Sequence, residues 1–229
     1  FIRGVGLEGG EISGGKYVGS LVGKIFGGTI SNSYASGSVT SRNYGGGLVG
    51  LNFKGSISSS YAIVDVNGYS NVGGLVGQNA VGSISSSYAS GNVKSDYDIN
   101  IGGLIGLNDG GVISNSYASG SVSGYALVGG LIGRNNGGVI SSSYAAGRVS
   151  ASGHDGGGLV GYNLEGDISS SFWDIRSSGR ASSSGGESKT TSQMQDQSTY
   201  PDTWDFNTVW VISPDVNEGY PYLQVFDQS

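Results

Sequence analysis

The chain has 229 residues, room for one long domain or two small ones. Glycine supplies 45 of them and charged residues only 12%, against ordinary shares of roughly 7% and 25%. A net charge of −6 argues against a nucleic-acid partner, whose phosphates must be met by clustered Lys and Arg. The lack of cysteine excludes disulfides and Cys-ligated zinc. No apolar run approaches the roughly 18–20 residues that cross a bilayer. The chain starts at Phe1 without a signal-like segment, as expected of a mature product or an excised fragment. Frequent Val and Ile, 14 Tyr, and apolar residues that recur at fixed positions mark a folded chain rather than a disordered one.

Residues 1–17 read as an N-terminal edge or partial coil. From residue 18 to residue 172 one unit repeats: G-G-L-V-G-x-N-x-x-G-x-I-S-x-S-Y-A-x-G-x-V. Its leucines are Leu21, Leu48, Leu75, Leu104, Leu131 and Leu159, at steps of 27, 27, 29, 27 and 28 residues. Ile30, Ile57, Ile84, Ile113, Ile140 and Ile168 follow nine residues after each leucine, and Tyr34, Tyr61, Tyr88, Tyr117, Tyr144 and Phe172 four residues later. Val39, Val66, Val93, Val122 and Val149 complete the first five units. The units carry β-favouring stretches between Gly and Asn turns, with no helical period. A unit this short cannot bury its own apolar face, so copies must stack. The expected fold is all-β: a parallel right-handed β-helix (β-solenoid) of about six coils of 27–29 residues, with a C-terminal aromatic cap.

Stacking turns repeated positions into columns. Asn52, Asn79, Asn108, Asn135 and Asn163 form one, with Ile25 in its first place; a hydrogen-bonded ladder lining a turn is the expected role. The serine columns that begin at Ser31 and Ser33 are expected on the face opposite Ile and Tyr. Pointing outward, they would make a hydroxyl lattice that packs closely or orders water.

All three Trp and all three Pro follow the last coil. Residues 173–229 are therefore read as a capping segment whose aromatics fold over the final coil, a lid rather than a sugar platform. The spacing of Ser192 and Gln195 predicts a capping box on one short helix. Gly179–Lys189, rich in Ser and Gly, reads as a mobile loop.

Candidate chemistry is sparse. Catalysis of glycoside bonds needs paired carboxylates, yet Asp65 lies between Ser38 and Asn92 in its column, and Asp109 between Ala80 and Asn136. His154 is the sole histidine, which leaves little for a triad or a multi-His metal site. No catalytic residue is assigned. Asp96, Asp98 and Asn100 match the opening of a calcium loop but lack its Gly and bidentate Glu, so no cofactor is expected and calcium is the alternative. Recognition character lies in the connectors between each Val and the next Leu, where Tyr44, Tyr69, Tyr97, Tyr125 and His154 are the candidate ligand-binding residues.

The motif G-G-L-V-G-x-N followed by I-S-x-S-Y-A-x-G-x-V, clearest over 74–93 and 103–122, resembles the GLUG repeat of secreted bacterial and archaeal surface proteins. The tail, with F-W-D, T-T-S-Q-M, W-D-F and Y-P-Y-L, resembles the segment that closes such arrays. The first unit departs from the pattern at Gly19-Ser20-Leu21 and at Ile25. The resemblance implies an extracellular or cell-surface location and an adhesive or architectural role, often within larger proteins such as adhesins and IgA-peptidase-like proteins, and it brings no catalytic residues. The expected function is a non-catalytic extracellular β-solenoid acting in adhesion or as a structural spacer. Its partners would be a cell-surface glycan or protein, or further copies of itself. Alternatives are a subunit of an extracellular filament, a carbohydrate-active β-helix enzyme and an ice- or water-ordering surface.

Overall fold

The computed structural model describes residues 1–95 and 99–227. Residues one unit apart lie side by side: Leu21, Leu48, Leu75, Leu104 and Leu131 each donate a backbone N–H to the carbonyl of the next leucine in the series, at 2.8–3.0 Å. Every solenoid strand pairs in parallel with its copy in the adjoining coil, giving a parallel β-solenoid of about six turns with three walls.

The first wall is seven-stranded and holds the Ile column, from Ile2–Arg3 and Thr29–Ser31 to Asp167–Ser169. The second runs from the Tyr column through the Val column and the connector. It is continuous in Tyr34–Gly46 and Tyr61–Gly73 and broken in later coils into pieces such as Tyr88–Ala89 and Val93–Lys94. The third is six-stranded, from Val22–Phe26 to Val160–Leu164, and carries the Asn column. Register is kept residue for residue: Ile84 pairs with Ile57 and Ile113, Asn108 with Asn79 and Asn135, Tyr88 with Tyr61 and Tyr117. The Gly6–Gly19 strand pairs on one side with Tyr34–Gly46. Among the described residues its other edge has no strand partner.

Columns of one residue type fill the interior. Leu48 to Leu159 are fully buried, as are Ile30 to Ile140, and the Val column lines the second wall beside them. Trp173 joins this core at the last coil, its indole against the backbone of Gly158, where any Cβ would lie 2.0 Å from the ring.

Left-handed residues make the corners. One corner is Asn32, Ser59, Ser86, Asn115, Ser142 and Ser170; the next is Tyr17, Tyr44, Asn71, Asn100, Leu127 and Asp155; the third is Gly27, Lys54, Val81, Gly110, Gly137 and Glu165. The first of these overturns the expected placement of the serines. Between Ile30 and Tyr34 the chain passes through Asn32 at φ 47°, which breaks the strand alternation. Ser33 therefore turns inward with Ile30, Tyr34 turns out, and only the Ser31 column stays on the outer wall. No two-column hydroxyl lattice forms.

Left-handed geometry strains residues with a Cβ, most of all β-branched ones, by about 1–2 kcal/mol. Val81, at φ 53°, is 59% exposed and so loses little apolar burial on replacement. Val81→Asn is expected to raise stability by about 1 kcal/mol, read as an upward shift of the urea midpoint at unchanged slope.

Candidate functional site

Three side-chain ladders run along the solenoid, two polar ones inside it and one on its surface. In the third wall each Asn amide but the last, Asn163, donates both along the stack and across its own turn. Asn52, Asn79, Asn108 and Asn135 donate to the Oδ1 of the next Asn at 2.8–2.9 Å. The same Nδ2 atoms reach the carbonyls of Gly55, Gly82, Gly111 and Gly138 at 2.9–3.2 Å. The glycine three residues on is needed for space: a Cβ at Gly111 would lie 2.0 Å from Asn79 Nδ2. The N-x-x-G spacing thus has a steric cause. At the top, where Ile25 replaces Asn, the buried Asn52 Oδ1 lacks a hydrogen-bond donor.

The serine ladder fills the first corner. Ser33, Ser60, Ser87, Ser116 and Ser143 each donate Oγ–H to the carbonyl two residues back, at 2.7–2.9 Å. Each of these residues also donates its backbone N–H to the Oγ of the following coil's serine, at 3.2–3.3 Å.

The third ladder is aromatic and stands on the outer face. Tyr34, Tyr61, Tyr88, Tyr117 and Tyr144 stack with ring centroids 4.8–5.0 Å apart and planes within 6°. Gly6 takes the tyrosine place one coil earlier. The tail covers this ladder from the side. Phe226 sets its edge against Tyr61 and Tyr88, Trp210 packs on Tyr117 and Tyr144, Trp204 on Tyr144 and Phe172. Trp204 and Trp210 are buried, so neither offers a sugar platform. The expected cap over the final coil is therefore two structures: Trp173 plugs the end, and the later aromatics return along the side wall.

The tail is pinned by few side chains. Asp174, fully buried, caps the short helix Ile175–Ser178 by accepting from Arg176 N and Ser177 N, and takes hydroxyl bonds from Thr191 and Tyr220 at 2.7 Å each. Tyr144 Oη donates to Pro221 O at 2.6 Å and accepts from Asn217 Nδ2 at 2.8 Å. The segment read as a mobile loop, Gly179–Lys189, is instead bonded to the last coil. Ser183 Oγ accepts from Val160 N, Ser184 N donates to Val160 O, and Glu187–Lys189 pairs with Phe172–Asp174. The capping box of the helix Thr191–Met194 lies two residues before the predicted one, with Thr190 in place of Ser192 as cap and Gln193 in place of Gln195 as its reciprocal partner. Thr190 wins because its hydroxyl reaches Gln193 N while the Gln193 side chain returns to Thr190 N.

The connector candidates do not converge on one site. Tyr44 stacks on Tyr17 at 4.7 Å, with the Lys16 and Lys24 ammonium groups over the Tyr17 ring. Tyr69 and Tyr125 are each about half exposed, two coils apart in one column. His154 stands at the edge of Tyr125, and its Nδ1 lies 2.5 Å from Asp155 Oδ2 on the open surface. Asp96, Tyr97 and Asp98 lie outside the described residues. Asn100, the remaining member of the calcium-loop candidate, is buried, and its Nδ2 donates to Asn71 Oδ1 at 2.8 Å. Among the described residues no group of three or more His, Cys, Asp and Glu is placed to hold a metal. What the sequence reading missed is Asp174 and Asn217, whose roles depend on partners 17–73 residues away.

The fold and these ladders define a parallel β-solenoid whose tyrosine-bearing wall is roofed by its own C-terminal segment. The GLUG motif model matches residues 14–40, 68–94, 97–123 and 124–150, and the chain is a GLUG-repeat protein. Its fold is similar to that in the crystal structure of a candidate immunoglobulin A1 protease from Bacteroides ovatus, at 19% identity and a TM-score of 0.61, over 98% of this chain and 69% of that one. Comparison with curated proteins finds no match.

Two outcomes follow from the lid. Asp174→Ala leaves two hydroxyls and a helix start without their acceptor, and is expected to lower stability by about 3 kcal/mol. Trp204 and Trp210 emission should shift to the red at lower urea than the loss of the β signal in circular dichroism. Burial pushes the Tyr117 and Tyr144 phenols well above their usual value, with a neighbouring phenol adding to it, and raises Tyr88 for the same reasons. The folded chain then holds protons that the unfolded chain releases above about pH 10. Urea midpoints should stay level to about pH 9 and fall from about pH 10 upward, and Tyr117→Phe should shrink that fall.

Proposed function

We propose that this chain is a non-catalytic module of an extracellular surface protein, serving in adhesion or as a rigid spacer. The observation that carries this reading is the use of the repeat's own polar groups. The Asn and Ser ladders are spent on one another, and the buried Asp174 carboxylate is met by four donors. Groups committed to one another in this way hold shape, and Asn52 Oδ1 at the top of its stack is the exception. The connectors vary in length and residue type from coil to coil, and they set Tyr69, Tyr125 and His154 outward on a stiff frame. Exposed tyrosines give contact area at low entropic cost, and insertions on one face of a solenoid commonly form its binding face. The GLUG resemblance favours the same role and the extracellular location.

The unpaired edge of Gly6–Gly19 supports a second reading, in which a strand of another copy adds there and the chain builds a filament. The name of the Bacteroides ovatus neighbour raises proteolysis as a third.

Beads coated with the chain should adhere to a glycan- or protein-bearing surface. The double variant Tyr69→Ala, Tyr125→Ala should lower retention about tenfold with an unchanged melting temperature. Retention equal to the parent's would remove the connectors from the reading. Growth of filaments with concentration would favour the second reading. Cleavage of immunoglobulin A or of a polysaccharide, abolished by one Asp, Glu or His substitution, would overturn the non-catalytic assignment.

A further inference from the structure

Between the lid and the tyrosine wall runs a groove of about 490 Å³, lined by Tyr88, Ser90, Tyr117, Ser119, Asn217 and Phe226 among others. It adjoins a second space of about 390 Å³ that shares Ser90, Ser119 and Asn217 and adds Glu218 and Tyr220. Both volumes fall in the range of small-ligand sites, roughly 300–1,000 Å³. We propose that this groove binds a neutral oligosaccharide, a site separate from the connectors invoked for adhesion.

The floor repeats with the coil. Tyr88 and Tyr117 stack 4.8 Å apart, and Ser90 and Ser119 stand two residues beyond them on the same outward side, one hydroxyl per rung. The two rings cover each other's faces and Tyr117 is buried, so the floor offers the edge of Tyr88 beside the two serine hydroxyls, an apolar strip next to polar groups that suits the C–H face and hydroxyl belt of a pyranose. The backbone of the floor is already used: Ser90 N donates to Ala62 O and Ser119 N to Ala89 O, both at 3.1 Å. That leaves no strand edge for a peptide to extend.

Charge narrows the class further. The side chains of the two linings that carry charge near neutral pH are the carboxylates of Glu218 and Asp227, and neither lining includes Lys or Arg. Uronates, sulfated sugars and phosphates meet repulsion there, whereas a neutral polyol gains carboxylate acceptors.

The lip is built to stay in place. Asn217, Glu218 and Gly219 are left-handed in succession, at φ 50°, 54° and 81°. Such strain persists only where neighbours over-determine it, and it gathers at ligand clamps. Here Asn217 Nδ2 is fixed to Tyr144 Oη at 2.8 Å and Pro221 O at 3.0 Å, and Gln195 Nε2 donates to Glu218 O at 2.8 Å. A groove held open before its ligand arrives avoids an ordering cost on binding.

The test is titration calorimetry on the full chain with cellohexaose, laminarihexaose, maltohexaose and mannohexaose, with hexagalacturonate and hexalysine as charged controls. At least one neutral hexasaccharide should bind, and Ser90→Arg and Ser119→Arg, which place a long side chain in the groove, should each weaken it at least tenfold at unchanged melting temperature. Glu218→Gln, which removes charge and keeps shape, should retain neutral-sugar binding within about threefold and admit hexagalacturonate more readily. Failure of all four neutral probes, or equal binding by the filled variants, overturns the proposal. Hexalysine as the only ligand also overturns it, in favour of a basic peptide. Adhesion that depends on Tyr69 and Tyr125 while the groove binds nothing would defeat this site and leave the adhesion reading standing.

Discussion

Every feature of this molecule depends on the parallel backbone register between successive coils. Because each leucine N–H bonds to the carbonyl of its own counterpart one coil away, a side chain's nearest neighbours are copies of itself. That condition selects residues able to interact with their own kind. Leu and Ile do so by filling space, Asn by being donor and acceptor at once, Ser by donating Oγ–H within its coil while accepting a backbone N–H from the adjacent one, and Tyr by stacking. A charged residue at such a position would meet its like at about 4.8 Å, and the solenoid carries few. The low charge content read from composition is thus a consequence of the architecture.

The C-terminal segment solves a separate problem. Stacked tyrosines present a broad aromatic strip, and the tail lays Trp204, Trp210, Tyr220 and Phe226 along it. The cover is uneven. Tyr144 is wholly buried and Tyr88 only partly, while Tyr34 carries its hydroxyl to Glu8 at 2.7 Å near the far end. This gradient produces both the groove and the graded alkaline response of the phenols.

The sequence disclosed the coil, its period, its core columns and the Asn ladder because each rests on repetition. A position that recurs six times at 27–29 residues reveals its neighbours directly. Ser33 was misplaced because strand alternation was carried through Asn32, and a left-handed residue there leaves only a faint mark: Ser stands in that place in other coils. The lid was legible as an aromatic tail, but its course was not. The contacts of Asp174 and Asn217 join residues that occur once each, so no internal copy could expose them.

The reach of the tail bears on how such a protein can change length. Because Phe226 touches Tyr61 while Trp204 touches Phe172, the roof rests on five consecutive rungs, and an array shortened below that number would strand its own aromatics in water. Rungs on the Tyr34 side carry no such obligation. Rungs can therefore be lost on the Tyr34 side without uncovering the tail, whereas loss among the five beneath it would expose its aromatics, which makes the array a ruler fixed at its C-terminal mark.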